Sequence, residues 1–267
     1  MTRPLDGRVA VITGGSRGIG RGIALRLARE GAHCAIIYRK DATAAREMVA
    51  ELEALGVRAI AERLELAEPE QVAPVFERIG AALGRVDVLV ANAAATAFRP
   101  VLEQKLHNVR RTFAISVDAF VAMTQAAVPL MKGRPGRIVL ISGIDSFQAM
   151  DGHSVLGAAK AAAESLVRGL ALELGPLGVT VNAVTPGFVT TDSSTYYVTR
   201  GLGLDYVRAT ARLLAATPVR RHGTPDDVAG LVAYLVSDAA SFLTGQCIVI
   251  DGGLTITSPL SRMEDGP

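Results

Sequence analysis

Short apolar segments alternate with longer amphipathic segments along almost the whole chain. The short ones, rich in β-branched residues, predict buried parallel strands at 9–12, 33–38, 58–64, 86–91, 137–142, 179–184 and 247–250. Helical spacing of apolar residues predicts helices after residue 18, at 42–55, 69–83 and 103–131, through 160 to 174, and within the loop-rich region 193–236. Repeated βα units with right-handed crossovers predict an α/β fold, a doubly wound parallel sheet of about seven strands with helices on both faces.

Ligands of such sheets bind beyond the carboxyl ends of the strands, so functional residues should follow the strands. The first strand leads into a turn with little side-chain bulk and then into a helix, whose first N–H groups can face an anion. This order predicts the phosphate-binding corner of a dinucleotide fold, formed by Gly14, Ser16, Arg17, Gly18, Ile19 and Gly20. An ordinary βα turn is the alternative interpretation.

The end of the second strand indicates which dinucleotide is bound. Arg39 and Lys40 stand where an NAD enzyme usually places a carboxylate on the ribose hydroxyls. Together with Arg17, these cations favour the 2′-phosphate of NADP(H). A pair of solvated charges at a strand end is the alternative.

Later strand ends complete the predicted cofactor site. Glu65, followed by Leu66, is placed to accept a hydrogen bond from an adenine amino group. Asn92 and Ala93 begin a floor of small residues against which a cofactor could lie. After the sixth strand the chain turns and exposes amides and hydroxyls that could meet a carboxamide, at Pro186, Gly187, Val189 and Thr191.

Length and composition exclude several other classes. The 267 residues fit one domain, 1–254, with a C-terminal tail at 255–267. A net charge of +2 without a basic stripe argues against nucleic acid, and four scattered histidines argue against a metal site. Cys34 and Cys247 are predicted to be inert thiols in strands. No apolar run approaches the eighteen or so residues of a spanning helix, and no signal peptide is visible, so we expect a soluble cytoplasmic protein with no membrane partner.

Five motifs together resemble the short-chain dehydrogenases/reductases over residues 7–253. They are TGGSRGIG at 13–20, NAA at 92–94, the lysine at 160, VNAVTPGFVTT at 181–191 and LTGQCIVIDGG at 243–253. The resemblance implies a Rossmann-type fold, a nicotinamide dinucleotide and a homo-oligomer, either tetramer or dimer. Within the family the chain is similar to acyl-carrier-protein ketoreductases and, over residues 36–57, to a divergent group of enoyl-acyl-carrier-protein reductases.

The chain departs from the family at its catalytic tetrad of Asn, Ser, Tyr and Lys. Counted back from Lys160, the tyrosine position holds Leu156, the serine position holds Gly143 beside Ser142, and the asparagine position holds Ala114. Leucine and glycine cannot deliver a proton, and general acid–base assistance is worth roughly 10² to 10⁴ in rate. In the family the lysine also holds the nicotinamide ribose. Cofactor binding is therefore expected to survive better than the usual chemistry.

His153 is the best candidate for a replacement proton donor. It lies seven residues before Lys160, about two helical turns or roughly 10.5 Å of rise, so both side chains would share a face. The divergent enoyl reductases place their tyrosine at this same spacing. An imidazole titrates near neutrality and can donate a proton there. A loop histidine without a catalytic role is the alternative.

Further candidates surround this position. Asp145, two residues after Gly143, and Asp118, four residues after the asparagine position, could orient His153 or a water, although a surface or capping role is the simpler interpretation. Ser142 is a candidate for steadying the substrate oxygen. Tyr196 and Tyr197 fall in the family's substrate lid and are more typical of substrate packing than of acid catalysis.

Three functional hypotheses follow. The first is an NADPH-dependent reductase of a carbonyl or conjugated enoyl group, on a small or carrier-bound acyl substrate, with a non-standard proton donor. The second is a catalytically silent NADP(H)-binding subunit or regulator. The third is a non-redox isomerase or cyclase that uses Asp145 and His153 as acid and base. The retained glycine corner, Arg39 and Lys160 favour the first two.

Overall fold

The computed structural model describes residues 3–258 and contains one parallel sheet between two layers of helices. The strands are β1 (Val9–Thr13), β2 (His33–Tyr38), β3 (Ala59–Arg63), β4 (Val88–Ala91), β5 (Arg137–Ile141), β6 (Thr180–Pro186) and β7 (Cys247–Ile250). The helices are α1 (Gly18–Arg29), α2 (Ala42–Ala54), α3 (Val72–Leu83), α4 (Leu106–Phe113), α5 (Ala119–Ala127), α6 (Ser154–Leu174), α7 (Asp192–Tyr196), α8 (Tyr206–Ala216) and α9 (Pro225–Val236).

The strand order is β3-β2-β1-β4-β5-β6-β7, with every neighbouring pair parallel. The predicted doubly wound sheet of seven strands is thereby confirmed. The direction of winding reverses between β1 and β4, and a crevice opens at such a switch point beyond the strand ends. The glycine turn after β1 and the segment after β4 therefore face each other.

Alternate side chains of each strand enter two separate cores. In β1, Val9 and Val11 pack with α3, α5 and α6, whereas Ala10 and Ile12 pack with α1, α2 and α9. Strands covered on both faces explain why the sequence shows continuous apolar runs rather than alternation. The two cores hold the sheet rigid, so that residues at its carboxyl edge keep fixed positions.

The long helix predicted at 103–131 is divided. α4 and α5 are joined by a π-helical turn, Ala114–Asp118, and a 3₁₀ turn, Val128–Leu130, follows. A π-helical turn adds a residue to one turn and shifts the helix face, which periodicity cannot reveal. β3 is also one residue shorter than predicted at each end, α3 begins after the 3₁₀ turn Pro69–Gln71, and β6 runs two residues further.

One sequence expectation about apolar runs is wrong. The helical stretch 106–130 is long and apolar enough to cross a membrane by length and composition alone. In the fold its inner side chains, including Phe120 and Met123, pack into the core against the sheet. Core helices pass the same test of length and composition.

Only part of the region around the predicted domain boundary at residue 254 is described by the structure. A 3₁₀ turn, Leu254–Ile256, crosses the predicted end of the domain at residue 254. Residues 259–267, which make up most of the predicted tail, lie outside the described residues, as do residues 1 and 2. The division at 254 stays a prediction.

Candidate functional site

The glycine turn after β1 leaves an open cradle at the start of α1. Gly14 and Gly18 have φ of +66° and +54°, a conformation that favours glycine, and a β-carbon on Gly20 would lie 2.3 Å from the carbonyl oxygen of Gly14. Arg17 occupies the N-cap of α1 and its side chain makes no capping hydrogen bond. The first N–H groups of this twelve-residue helix therefore remain available to an anion.

The other residues predicted at the turn lie around this cradle. Arg17 is exposed, whereas Ser16 and Ile19 are half-buried. The methyl group of Thr191 lies 3.6 Å from where a β-carbon on Gly18 would stand. The segment after β6 thus passes over the start of α1, and the two together form one side of a cleft.

Thr13 ties the ends of β1 and β4 together, a role that the sequence analysis missed. Its hydroxyl accepts hydrogen bonds of 2.9 Å from the backbone N–H groups of Asn92 and Ala93. The side-chain amide of Asn92 donates to the carbonyl of Thr13 at 2.8 Å. The signal that could have found this contact is a polar residue closing an otherwise apolar strand. The floor predicted at Asn92 and Ala93 is consequently held against the glycine turn.

The basic corner after β2 contains one more arginine than predicted. Arg39 and Lys40 are exposed at the end of the strand. Arg63 ends β3, whose register places it beside Tyr38, and its Nε donates to the carbonyl of Arg39 at 3.2 Å. Only the pairing of β2 with β3 brings Arg63 here, so the linear sequence gives no signal of it.

Glu65 is held by a neighbour in α4. Arg111 donates to its carboxylate at 3.0 Å, and the N–H of Ala67 donates at 3.3 Å. Burial acts to raise the pKa of Glu65, but these hydrogen bonds outweigh it, and the pKa is lowered. Leu66 is buried beside it. Glu65 is therefore an ionised acceptor at the edge of the cleft, and its contact with adenine stays a prediction.

The segment after β6 is shaped by local hydrogen bonds. Gly187 donates its N–H to the carbonyl of Ile250 at 3.0 Å, directly after Pro186 ends the strand. Val189 is buried and forms a bridge with Gly223. Thr191 caps α7 through a reciprocal pair of hydrogen bonds with Ser194. The Thr191 hydroxyl thus has a structural partner in addition to its predicted contact with a cofactor.

Lys160 lies buried on α6 with its ammonium group at the sheet edge. Its Nζ donates to the carbonyl of Ile141, the last residue of β5, at 2.5 Å. Burial lowers the pKa of Lys160, and the negative charges of Asp145 and Glu164 oppose that lowering. Glu164 was missed by the sequence analysis, although an acid four residues after a lysine on a helix is a visible pattern.

Asp145 and His153 form a hydrogen-bonded pair close to this lysine. Asp145 lies in the 3₁₀ turn after β5, and its Oδ2 is 3.0 Å from Nδ1 of His153. Both side chains are nearly buried, 7% and 12% exposed respectively. His153 stands at the N-cap of α6, and its carbonyl accepts from Gly157 N–H at 2.8 Å, so the helix begins directly after His153.

The opposite nitrogen of His153 faces an aromatic enclosure. Phe98 and Tyr197 pack on the imidazole with ring centroids at 4.9 and 4.3 Å, and Nε2 is buried without a hydrogen-bond partner. The Tyr197 hydroxyl donates to the carbonyl of Asp151 at 3.0 Å. Burial, with the negative charges of Asp151 and Asp145, raises the pKa of Tyr197 to about 12. This tyrosine therefore remains neutral and packs against His153 and Phe98, and the substrate contact that the sequence analysis favoured stays a prediction.

The remaining candidates divide into two groups. Ser142 is buried after β5, and its Oγ has no hydrogen-bond partner, so it retains a free donor. Tyr196 and Asp118 are exposed. The carboxylates that act on Lys160 are Asp145 and Glu164, and Asp118, on the π-helical turn, is not one of them. The structure thus brings together Lys160, Asp145 and His153 and leaves Asp118 aside.

Comparisons with known proteins identify the family. A family model described as Enoyl-(Acyl carrier protein) reductase matches residues 14–255. The 1-cyclohexenylcarbonyl-CoA reductase of Streptomyces collinus is 38% identical over 252 residues, which cover 94% of this chain and 88% of that protein. The 3-oxoacyl-[acyl-carrier-protein] reductase of Synechocystis sp. is 35% identical over 254 residues, covering 94% and 98%.

Solved structures agree with this result. A short chain dehydrogenase from Burkholderia cenocepacia in complex with NADP superposes with a TM-score of 0.87 at 38% identity, covering 94% of this chain and 99% of that one. A metagenomic blue fluorescent protein in complex with NADPH gives a TM-score of 0.86 at 37% identity, covering 94% and 99%. The chain belongs to the short-chain dehydrogenase/reductase family of oxidoreductases.

Proposed function

We propose that this protein is an NADPH-dependent reductase of a carbonyl or conjugated enoyl group, with His153 as its proton donor. One observation favours this function over the alternative functions. Nδ1 of His153 is fixed by Asp145, while Nε2 is buried and has no hydrogen-bond partner. A buried polar atom left unpaired costs free energy, so such atoms are rare unless a ligand completes them.

The residues of the cleft fit a phosphorylated dinucleotide. The cradle at Gly14, Gly18 and Gly20 is space that β-carbons would fill, and the uncapped start of α1 suits a pyrophosphate. Arg17, Arg39 and Lys40, together with Arg63, supply positive charge for a 2′-phosphate. Lys160 would hold the nicotinamide ribose. Relatives of known structure carry NADP or NADPH, which supports the same cofactor here.

The proposed chemistry needs one proton from the protein. NADPH supplies the hydride when it is bound. Asp145 accepts a hydrogen bond from Nδ1–H of His153, so the transferable proton of the imidazolium resides on Nε2. His153 gives that proton to the substrate oxygen or to the carbon of the enolate, becomes neutral, and regains a proton from water. Ser142 can donate a hydrogen bond to the substrate oxygen.

The relatives suggest an acyl thioester as substrate. The names of two of them specify reductases of a CoA thioester and of an acyl-carrier-protein thioester. We therefore favour a carrier-bound or CoA-bound acyl group, with a small-molecule substrate as the alternative. A homodimer or homotetramer and a cytoplasmic location, implied by the family and by composition, complete the proposal.

NADPH oxidation with a panel of ketones and enoyl thioesters tests the function. We expect turnover by the parent protein and a loss of about 10² or more in kcat for His153→Gln, in line with the worth of general acid catalysis. His107, exposed on α4, provides the matched control, and His107→Gln should retain full activity.

The other outcomes separate the competing hypotheses. NADPH binding without turnover of any compound favours the silent subunit. Conversion of a substrate without NADPH consumption favours the isomerase. Failure to bind NADPH or NADP overturns the cofactor assignment, and an unchanged rate in His153→Gln removes His153 as the donor.

A further inference from the structure

We propose that Asp145 fixes the orientation of His153, and that it can occupy this position only because residue 143 carries no side chain. This inference rests on the proposed function for what His153 does. What it adds is that the absence of a side chain at Gly143 determines where the carboxylate of Asp145 lies. Gly143 is therefore a positioning residue of the active site.

The space beside Gly143 is filled by the carboxylate of Asp145. A β-carbon built on Gly143 would lie 2.5 Å from Oδ1 of Asp145, well inside van der Waals contact. The φ of Gly143 is −175°, an extended conformation that any residue adopts, so backbone conformation does not demand glycine. The requirement is steric. A serine here would displace the carboxylate from the position in which it contacts His153.

A second glycine holds the backbone of the same turn against α6. A β-carbon on Gly157 would lie 2.2 Å from the carbonyl oxygen of Asp145. Because that neighbour is backbone, it cannot rotate away, and substitution at 157 would separate the turn from the helix. Gly157 thus allows the backbone of Asp145 to lie close against α6, whereas Gly143 leaves room for the carboxylate of Asp145.

The charges around the pair leave Asp145 with two roles. It accepts from His153 on one side and, with Glu164, acts on Lys160 on the other. Glu164 is occupied by hydrogen bonds from Ser146 and Thr185, at 2.9 and 3.0 Å to the same oxygen. On its other side the imidazole packs against Tyr197, whose hydroxyl donates to the carbonyl of Asp151. Asp145 is therefore placed to orient His153, and it shares its electrostatic effect on Lys160 with Glu164.

Nitrogen NMR of the histidine side chains tests this arrangement without any turnover. In the parent we expect neutral His153 to carry its proton on Nδ1, since the partner of one ring nitrogen sets the tautomer. Asp145→Ala and Gly143→Ser should both shift His153 towards the Nε2–H form. His153→Gln assigns the signal. Gly169→Ser, at a helical glycine with no heavy atom near its β-carbon position, and Asp118→Asn, at an exposed carboxylate, should leave it unchanged.

Thermal stability in a double-mutant cycle provides the second readout. Gly143→Ser should lower the Tm of the parent but have little effect in the Asp145→Ala background, where no carboxylate needs displacing.

Different results would refute the relation between Gly143 and Asp145 and the proposed reductase function. An unchanged His153 tautomer in both Gly143→Ser and Asp145→Ala would overturn the inference, and so would strictly additive Tm shifts. If Gly143→Ser does not fold, Asp145→Ala still decides the tautomer, because it keeps the glycine. If the tautomer changes as expected but the parent reduces no substrate, the relation between Gly143 and Asp145 stands and the proposed reductase function falls.

Discussion

The ammonium group of Lys160 donates a 2.5 Å hydrogen bond to the carbonyl of Ile141, which ends β5. This contact anchors the middle of α6 to the carboxyl edge of the sheet at the point where a dinucleotide would cross it. A buried cation is costly to fold. The presence of one at this edge of the sheet therefore points to a role in binding.

Lys160→Met tests the role of this lysine in binding. We expect NADPH affinity to fall about tenfold or more, the typical effect of losing a charged hydrogen bond of about 1.5–3 kcal/mol. The Tm should fall as well, because the carbonyl of Ile141 loses its donor and Asp145 and Glu164 lose a positive neighbour. Fluorescence titration and thermal denaturation measure the two effects. Lys105→Met, at an exposed lysine before α4, is the control, and equal affinities for both variants would argue against a cofactor role for Lys160.

The basic corner should decide between the two nicotinamide cofactors. In the double variant Arg39→Ala/Lys40→Ala, affinity for NADPH should drop about 10²-fold while affinity for NADH changes little, because only NADPH carries the 2′-phosphate. Parallel titrations with both cofactors measure the ratio. Arg46→Ala removes a positive charge from the exposed face of α2 and should alter neither affinity. An equal loss of affinity for NADPH and NADH would mean that Arg39 and Lys40 do not recognise the 2′-phosphate.

The glycine turn offers a matched pair of substitutions. A β-carbon at Gly20 would meet the Gly14 carbonyl oxygen at 2.3 Å, whereas Gly169 in α6 has open space. Gly20→Ala should therefore lower both NADPH affinity and Tm. Gly169→Ala should leave affinity unchanged and stabilise the protein by about 0.5–1 kcal/mol, the difference in helix propensity. Denaturant unfolding measures both, and a Gly20→Ala variant with parental affinity would refute the predicted cradle.

Sequence reasoning identified the parts of the molecule that depend on local pattern. The seven strands were visible because strands buried on both faces are continuous apolar runs. The cradle was visible because its glycines lie close together in the sequence. Arg63 and Thr13 were missed because strand pairing, which the linear pattern does not show, brings each to its partner. The π-helical turn 114–118 was missed because a single inserted residue hardly changes a helical period.

The proposed proton-donor site shows the same division at closer range. His153 could be proposed because its spacing from Lys160 follows helix geometry. Its contact with Asp145 could be suggested but not fixed, since Asp145 lies in an irregular turn after β5. The relation of Gly143 to that carboxylate depends on a side-chain position, and no property of the residue types at 143 and 145 indicates it.

The last prediction concerns how the Tyr197 phenol makes the stability of the protein depend on pH. Burial raises the pKa of its phenol to about 12, above the ordinary value of about 10, so the folded protein retains a proton that the unfolded chain loses first. The stabilisation is fully present below about pH 10 and is lost as the pH rises towards 12. Denaturant unfolding at a series of pH values should therefore show a steeper alkaline loss of stability in the parent than in Tyr197→Phe. The kcat of Tyr197→Phe should keep the parent's pH profile between about pH 6 and 9, because the phenol is neutral throughout that range. A changed profile would show that Tyr197, and not His153 alone, takes part in proton delivery.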